Sequence, residues 1–155
     1  MQKTKILFVC HGNICRSPMA EVIFRDLAVE AGVAERFTVA SCATSTEEIW
    51  NGIGNPVYPP AKAELARHGH RCPDRRAVLL TKADYDRWDL FLIMDERNRR
   101  GTDRIFGGDP AGKVHKLLPR DVEDPWYSGN FSRVYRDLRE GCEAWLEKLT
   151  EPEKK

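Results

Sequence analysis

The sequence predicts a doubly wound α/β fold, because short apolar runs alternate with helical patterns along the chain. The run Ile6-Leu7-Phe8-Val9 is too brief for a helix, and its unbroken apolar character reads as a strand buried on both faces. Leu90-Phe91-Leu92-Ile93-Met94 has the same character much later in the chain. Between and after these runs, apolar residues recur every three or four positions, as on helices packed against a sheet. Strands that alternate with helices form parallel sheets with right-handed crossovers, and a ligand then lies beyond the carboxyl ends of the strands.

Taken in order, residues 4 to 9 supply the first strand, and Cys10 stands at its carboxyl end. Ser17-Pro18 reads as a helix N-cap followed by proline at the first helical position, and Ala20, Ile23, Phe24, Leu27 and Ala31 keep helical spacing up to Gly32. Residues 37 to 42 predict a second strand, and the Gly/Pro/Asn-rich stretch from Gly52 to Pro60 a surface loop. A short helix follows from Ala61 to His68, closed by Gly69, and then the third strand within Asp89 to Met94. Glu96 to Phe106 is arginine-rich with helical tendency, Lys113 to Leu118 gives a fourth strand, and Pro119 to Gly129 a turn-rich loop. Phe131, Val134, Leu138, Cys142, Trp145 and Leu149 mark a last amphipathic helix that closes onto the sheet. A single domain is expected over residues 1–150, with a frayed polar tail at 151–155.

Composition excludes several classes. The 155 residues carry 25 Lys plus Arg against 24 Asp plus Glu, and a net charge of +1 creates no whole-molecule field for nucleic acid or membrane, so any anion must be bound locally. No apolar run approaches the ~18 residues of a spanning helix, and the opening run is shorter than a signal-peptide core, so a cytoplasmic location is expected. The five cysteines, an odd number without CxxC pairs, argue against a disulfide framework or zinc site and leave room for a reactive thiol. His68, His70 and His115 lack metal-cluster spacing; no metal or organic cofactor is expected.

The chemistry concentrates in Cys10-His11-Gly12-Asn13-Ile14-Cys15-Arg16-Ser17-Pro18. A cysteine ends the strand, five residues follow, and an arginine opens the helix. A short strand-to-helix loop can turn successive backbone N–H groups into one concavity, to which the helix N-terminus adds free donors and a positive dipole end. Such a nest suits a tetrahedral oxyanion. Gly12 and Asn13 tolerate unusual backbone angles, and Arg16 offers a planar fork for two phosphate oxygens. Ser17 is placed either to cap the helix or to hydrogen-bond the Cys10 sulfur. The same donors favour thiolate over thiol and make Cys10 a nucleophile. Each residue alone has a plainer explanation as strand end, surface charge or helix start; together they meet the context that a phosphate loop requires.

On this segment, extended through Met19-Ala20-Glu21, the sequence resembles the low-molecular-weight protein tyrosine phosphatases. The likeness continues through Ser41, the Trp50 region, His68-Gly69, Leu80 to Asp86, Met94-Asp95-Glu96 and Asp124-Pro125-Trp126. The resemblance implies a three-layer sandwich about a central four-stranded parallel sheet, and hydrolysis of phosphotyrosine or aryl phosphates through a phosphocysteine. Cys10 is then the nucleophile, Arg16 and the amides of His11 through Ser17 hold the phosphate, and Asp124 is the general acid and later base. A bell-shaped pH profile peaking on the acid side is expected. Asn13, Ser17 and Ser41 match positions that hold the loop in shape. Asp95 matches an aspartate that orients the loop arginine, though an N-cap explains it equally. Cys15 matches a second cysteine that traps oxidised Cys10. Trp50, Trp126 and Tyr127 are candidate cleft walls or core residues, and His11 offers a donor or faces solvent. Phosphate, vanadate and similar oxyanions are the expected site ligands, and a monomer is expected.

The chain departs from the family in two places. Arg75-Arg76-Ala77-Val78-Leu79-Leu80-Thr81 stands where many members have a histidine ahead of a similar stretch, leaving open what supports the loop from that side. Pro56-Val57-Tyr58-Pro59-Pro60 replaces an Asp-Pro-Arg rim. Among rival readings, relatives acting on phosphoarginine carry threonine at the position of Ile14. Arsenate reductases of this fold need a closely spaced downstream cysteine pair, which Cys72 and Cys142 do not make. A phosphocysteine carrier would need no leaving-group acid.

Overall fold

The computed structural model describes residues 3–151. The chain runs through β1 (Thr4–Cys10), α1 (Arg16–Glu30), a 3₁₀ turn at Ala34–Arg36, β2 (Phe37–Ala43), β3 (Ile49–Trp50), β4 (Ile53–Gly54) and α2 (Pro59–Arg67). It continues through α3 (Asp84–Arg87), β5 (Leu90–Ile93), α4 (Glu96–Phe106), β6 (Val114–Lys116), α5 (Pro125–Ser128) and α6 (Phe131–Thr150). Four strands form one parallel sheet in the order β2-β1-β5-β6, as the resemblance implied.

The apolar run of β1 is shared between two cores because successive side chains of a strand point to opposite faces. Ile6, Phe8 and Cys10 join the cluster built by α1, α2 and α6, while Leu7 and Val9 meet Phe91, Ile93, Val114 and Phe106 on the α4 side. Helix α1 is buried around most of its circumference because it lies between the sheet and α6; Phe24 packs its ring against Phe8 and edge-on against Phe37. The stripe expected on α6 is buried at Val134, Leu138 and Cys142 and also at Tyr135 and Leu146, while Trp145 sits at the edge and donates its indole N–H to the Leu117 carbonyl at 3.0 Å.

Local chemistry shifts several expected boundaries. Helix α1 begins at Arg16, its cap position is Cys15, and no side chain caps it, so Ser17 is not the N-cap; its hydroxyl is turned inward to Cys10 and Asn13 instead. The loop expected from Gly52 to Pro60 contains half of a hairpin, β3 to β4, turned by Asn51 and Gly52, both at positive φ. That pair is the turn two-residue hairpins favour, and the strands are too short to show alternation. A Cβ on Gly54 would stand 1.9 Å from the Ala77 carbonyl oxygen, so only glycine lets the hairpin lie this close to residues 76 and 77. Pro59 and Pro60 open α2, where proline needs no N–H partner. The tail expected at 151–155 falls, beyond Glu151, outside the described residues. Among the described residues no helix is long and apolar enough to cross a membrane.

This strand order places a topological switch between β1 and β5, since β1 continues to β2 on one side and β5 lies on the other. A crevice therefore opens at their carboxyl ends. The segments after β1, β5 and β6 converge there.

Candidate active site

Cys10 ends β1 with its sulfur turned into the loop that follows. Cys10 Sγ accepts the N–H groups of Asn13 at 3.3 Å and Ser17 at 3.4 Å, and lies 3.0 Å from Ser17 Oγ. Asn13 adopts φ 60°, the left-handed region, which asparagine enters at lower cost than most residues. Its side-chain amide uses its full bonding capacity. Asn13 Nδ2 donates to Ser17 Oγ at 2.7 Å and Ser41 Oγ at 3.0 Å, while Oδ1 accepts from Val78 N–H at 3.1 Å and Arg75 Nη2 at 2.6 Å.

Arg16 is only 2% exposed. Its Nη1 donates to Asp95 Oδ2 at 2.7 Å and to the Val122 carbonyl at 2.8 Å, and its Nη2 stands 3.6 Å from Asp124 Oδ2. Burial opposes its charge, but Cys10, Asp95 and Asp124 outweigh burial and raise its pKa further. Asp95 makes both of the contacts considered for it. One carboxylate oxygen accepts Asn98 N–H at 2.9 Å to cap α4, and the capping box thereby holds the other against Arg16. Asp124 is arranged similarly: Oδ1 accepts Trp126 N–H at 3.0 Å to cap α5, leaving Oδ2 toward Arg16.

These groups line a cleft of about 460 Å³, open solvent at its mouth included, formed by residues 10–16 with Glu47, Glu48, Asp124, Trp126 and Tyr127. Trp126 and Tyr127 are 54% and 74% exposed, and Trp126 leans on Tyr58 with ring centres 5.0 Å apart. Trp50 is neither wall nor core: it is 79% exposed on the hairpin and does not line the cleft. His11 is half-buried, with Nε2 3.0 Å from Glu47 and 3.1 Å from Arg97. Ile14 packs with Cys15 and Ala77 and also lines the cleft. Burial first, then the neighbouring Cys10 and Asp124, push the Cys15 thiol far up, so it stays protonated at neutral pH.

Several contributors were not legible in the sequence. Ser41 meets Asn13, Ser41 is tied in turn to the buried Glu21, and Arg75 bonds all three. Arg75 Nη1 donates to Glu21 Oε1 at 2.9 Å and to Ser41 Oγ, while Ser41 Oγ donates to Glu21 Oε1 at 2.7 Å. The departure at Arg75 thus still supplies a contact to the loop. Glu48 rests against Gly12, where a Cβ would stand 3.0 Å from Glu48 Cγ, and is held by Asn55. The only signal for Arg75 was its place in a segment that departs from the family pattern; Glu47 and Glu48 gave none.

A model of the low molecular weight phosphotyrosine protein phosphatase family matches residues 5–155. The human low molecular weight phosphotyrosine protein phosphatase is 38% identical over 95% of this chain and 97% of its own. The Bacillus subtilis low molecular weight protein-tyrosine-phosphatase YfkJ is 36% identical over 91% of this chain and 92% of its own. The YfkJ crystal structure superposes with a TM-score of 0.88, covering 97% of this chain and 99% of that one at 33% identity. Vibrio vulnificus Wzb, solved in complex with benzylphosphonate, gives 0.81 at 28% identity, covering 94% of this chain and 99% of its own. Matched by the family from residue 5 to 155, and superposed on solved members along nearly its whole length, the chain belongs to the low molecular weight phosphotyrosine protein phosphatases.

Proposed function

We propose that the protein hydrolyses phosphotyrosine in proteins, and small aryl phosphates, through a phosphocysteine intermediate, without a metal or organic cofactor. The observation that carries this reading is the convergence of a buried sulfur bonded by two N–H groups, a buried arginine and a carboxylate on one cleft with aromatic walls. The Cys10 thiolate, stabilised by those N–H groups and by the Ser17 hydroxyl, attacks phosphorus as the phosphorus–oxygen bond to the aryl group breaks. Arg16, held in orientation by Asp95 and Val122, takes the charge of the transferring phosphoryl group together with the loop amides. Asp124 gives its proton to the departing phenolate. It then takes one from the water that attacks phosphocysteine, the sulfur leaves as thiolate, and inorganic phosphate is released.

Trp126 and Tyr127 offer faces to the phenol ring. Benzylphosphonate, bound by the Vibrio vulnificus relative, pairs an aromatic ring with a tetrahedral phosphorus and supports an aryl ligand here. If Cys10 is oxidised to a sulfenic acid, condensation with the Cys15 thiol forms a disulfide and releases water. Because burial keeps Cys15 protonated, that trap needs the loop to open first.

The test is turnover of p-nitrophenyl phosphate, a phosphotyrosine peptide and phosphoarginine in the presence of a chelator. The first two are hydrolysed and vanadate inhibits, while phosphoarginine is at least about tenfold slower because Ile14 offers no hydroxyl to its guanidinium. Faster phosphoarginine turnover moves the assignment to that substrate. Phosphate binding without turnover leaves a carrier or binding protein.

A further inference from the structure

Behind the loop, away from the cleft, lies a groove lined by Lys62, Asp74, Arg75 and Arg76. Arg75 is the one of these that passes inward. Its guanidinium donates to the neighbouring Arg76 carbonyl at 3.2 Å and spans three partners on other segments: Glu21 on α1, Ser41 on β2 and Asn13 in the loop itself. A bonded chain therefore runs from Glu21 through Arg75 and Asn13 to Ser17 and the Cys10 sulfur. Asn13 is the one loop residue at positive φ, and its own N–H reaches that sulfur. A residue held in the left-handed region relaxes unless its surroundings over-determine it. Arg75 supplies the shortest of the bonds on Asn13 Oδ1.

We propose that Arg75 is a positioning residue: anchored on Glu21, its guanidinium keeps Asn13 left-handed, and so sets oxyanion affinity and the attack geometry of Cys10 through a brace whose charge does not change with pH. The inference rests on the phosphatase reading for its kinetic consequences, though the effect on phosphate binding stands without it. An arginine keeps its charge at every pH at which the protein works, and its planar fork can meet three acceptors at once. The charged and titratable groups around it are Glu21 and Arg25 on α1, Cys42 on β2, Lys62 on α2, and Cys72, Asp74 and Arg76 on its own segment. Asp74 is paired with Lys62 at 3.7 Å, which leaves Glu21 as the carboxylate that anchors Arg75.

The experiment compares Arg75→Met, Arg75→Lys and Arg75→His with the unmodified protein, reading kcat and KM for p-nitrophenyl phosphate from pH 5 to 8, and Kd for inorganic phosphate by calorimetry. Arg75→Met lowers kcat/KM and phosphate affinity by about tenfold or more, the loss expected for one charged donor on a buried acceptor. Arg75→Lys restores part of it, as a single point donor can. Arg75→His stays close to the unmodified protein at pH 5. Its ratio to the unmodified protein then falls as pH rises through the imidazole's titration, at or above about 6.5 because Glu21 favours the cation. A deficit that is equal at every pH in Arg75→His, or unchanged kinetics and phosphate affinity in any folded variant, overturns the proposal. Should Arg75→Met not fold, the pH ratio of Arg75→His decides. Absence of turnover in the unmodified protein sinks the phosphatase reading alone, since phosphate affinity still judges Arg75. Absence of phosphate binding as well sinks both.

Discussion

Two of the segments that line the cleft are built by opposite rules. The loop after β1 is interior: Asn13, Arg16 and Ser17 are buried polar residues, each with several hydrogen bonds to other elements. The segment from Asp124 to Tyr127 is surface: one carboxylate faces inward, and the two aromatic rings that follow stand mostly in solvent. Under the proposed function the first loop matches one tetrahedral anion, which fits the dense bonding of Asn13, Arg16 and Ser17. The second meets whatever carries that anion, which varies, and its rings need only present area.

That contrast can be broken or sharpened by measurements of decreasing effect. Cys10→Ser should lower p-nitrophenyl phosphate turnover by at least about a thousandfold while phosphate affinity changes little, since a hydroxyl is a far weaker nucleophile in the same nest. Turnover within tenfold of the unmodified protein would remove the nucleophile from the mechanism. Asp124→Asn is expected to cost roughly 10²–10⁴ in kcat, the range for general acid catalysis. The loss should be larger with phenyl than with p-nitrophenyl phosphate, because the poorer leaving group needs the proton more; equal losses would assign Asp124 to binding.

Within the first loop, the two sulfurs should separate by about a hundredfold in alkylation at pH 7. The Cys15 thiol has its pKa raised by burial and by nearby Cys10 and Asp124, so at every pH below that raised value it remains protonated and unreactive. Mass spectrometry after brief iodoacetate treatment should find the label on Cys10; label on Cys15 at a comparable rate contradicts the buried geometry. Asn13→Ala removes four side-chain hydrogen bonds and the residue type that best tolerates φ 60°. A loss of kcat/KM of about tenfold or more is expected. Trp126→Ala, in the exposed wall, should change p-nitrophenyl phosphate turnover less than about threefold and raise KM more for a phosphotyrosine peptide, which spans more of the rim. If the Trp126 effect exceeds that of Asn13, the assignment of rigidity to one loop and adaptability to the other is reversed.

The parts of this arrangement that were legible in the sequence are those written in contiguous residues. Doubly buried strands announced β1 and β5, and the polar, arginine-rich stretch with helical tendency matches α4 at its observed ends, Glu96 and Phe106, beyond which Gly107 closes the helix in a left-handed conformation. The Cys10-to-Arg16 spacing was read as a phosphate loop before any resemblance was invoked. Short elements escaped. The hairpin strands β3 and β4 have two residues each and α3 has four, too few for a period to repeat, although Asn51-Gly52 was a usable turn signal. Ser17 was read as a cap or a sulfur partner; a hydroxyl at a helix start fits both, and only the inward turn of the side chain chose between them.

By itself the sequence determined the order of the longer strands and helices and the strand-to-helix loop, from Cys10 to Arg16, on which the proposed anion site rests, since periodicity, turn residues and helix-end donors act over a few residues. The tertiary structure decided which distant groups meet there. Asp95 and Asp124 reach Arg16 because β5 lies beside β1 and β6 beside β5, bringing segments after three strands to one end of the sheet. Arg75 reaches Asn13 across 62 positions of sequence, and Trp50, a candidate for wall or core, is carried outward on its hairpin. Such contacts depend on how elements pack in space, and hydrophobic spacing along the chain carries no record of which polar side chains that packing brings together.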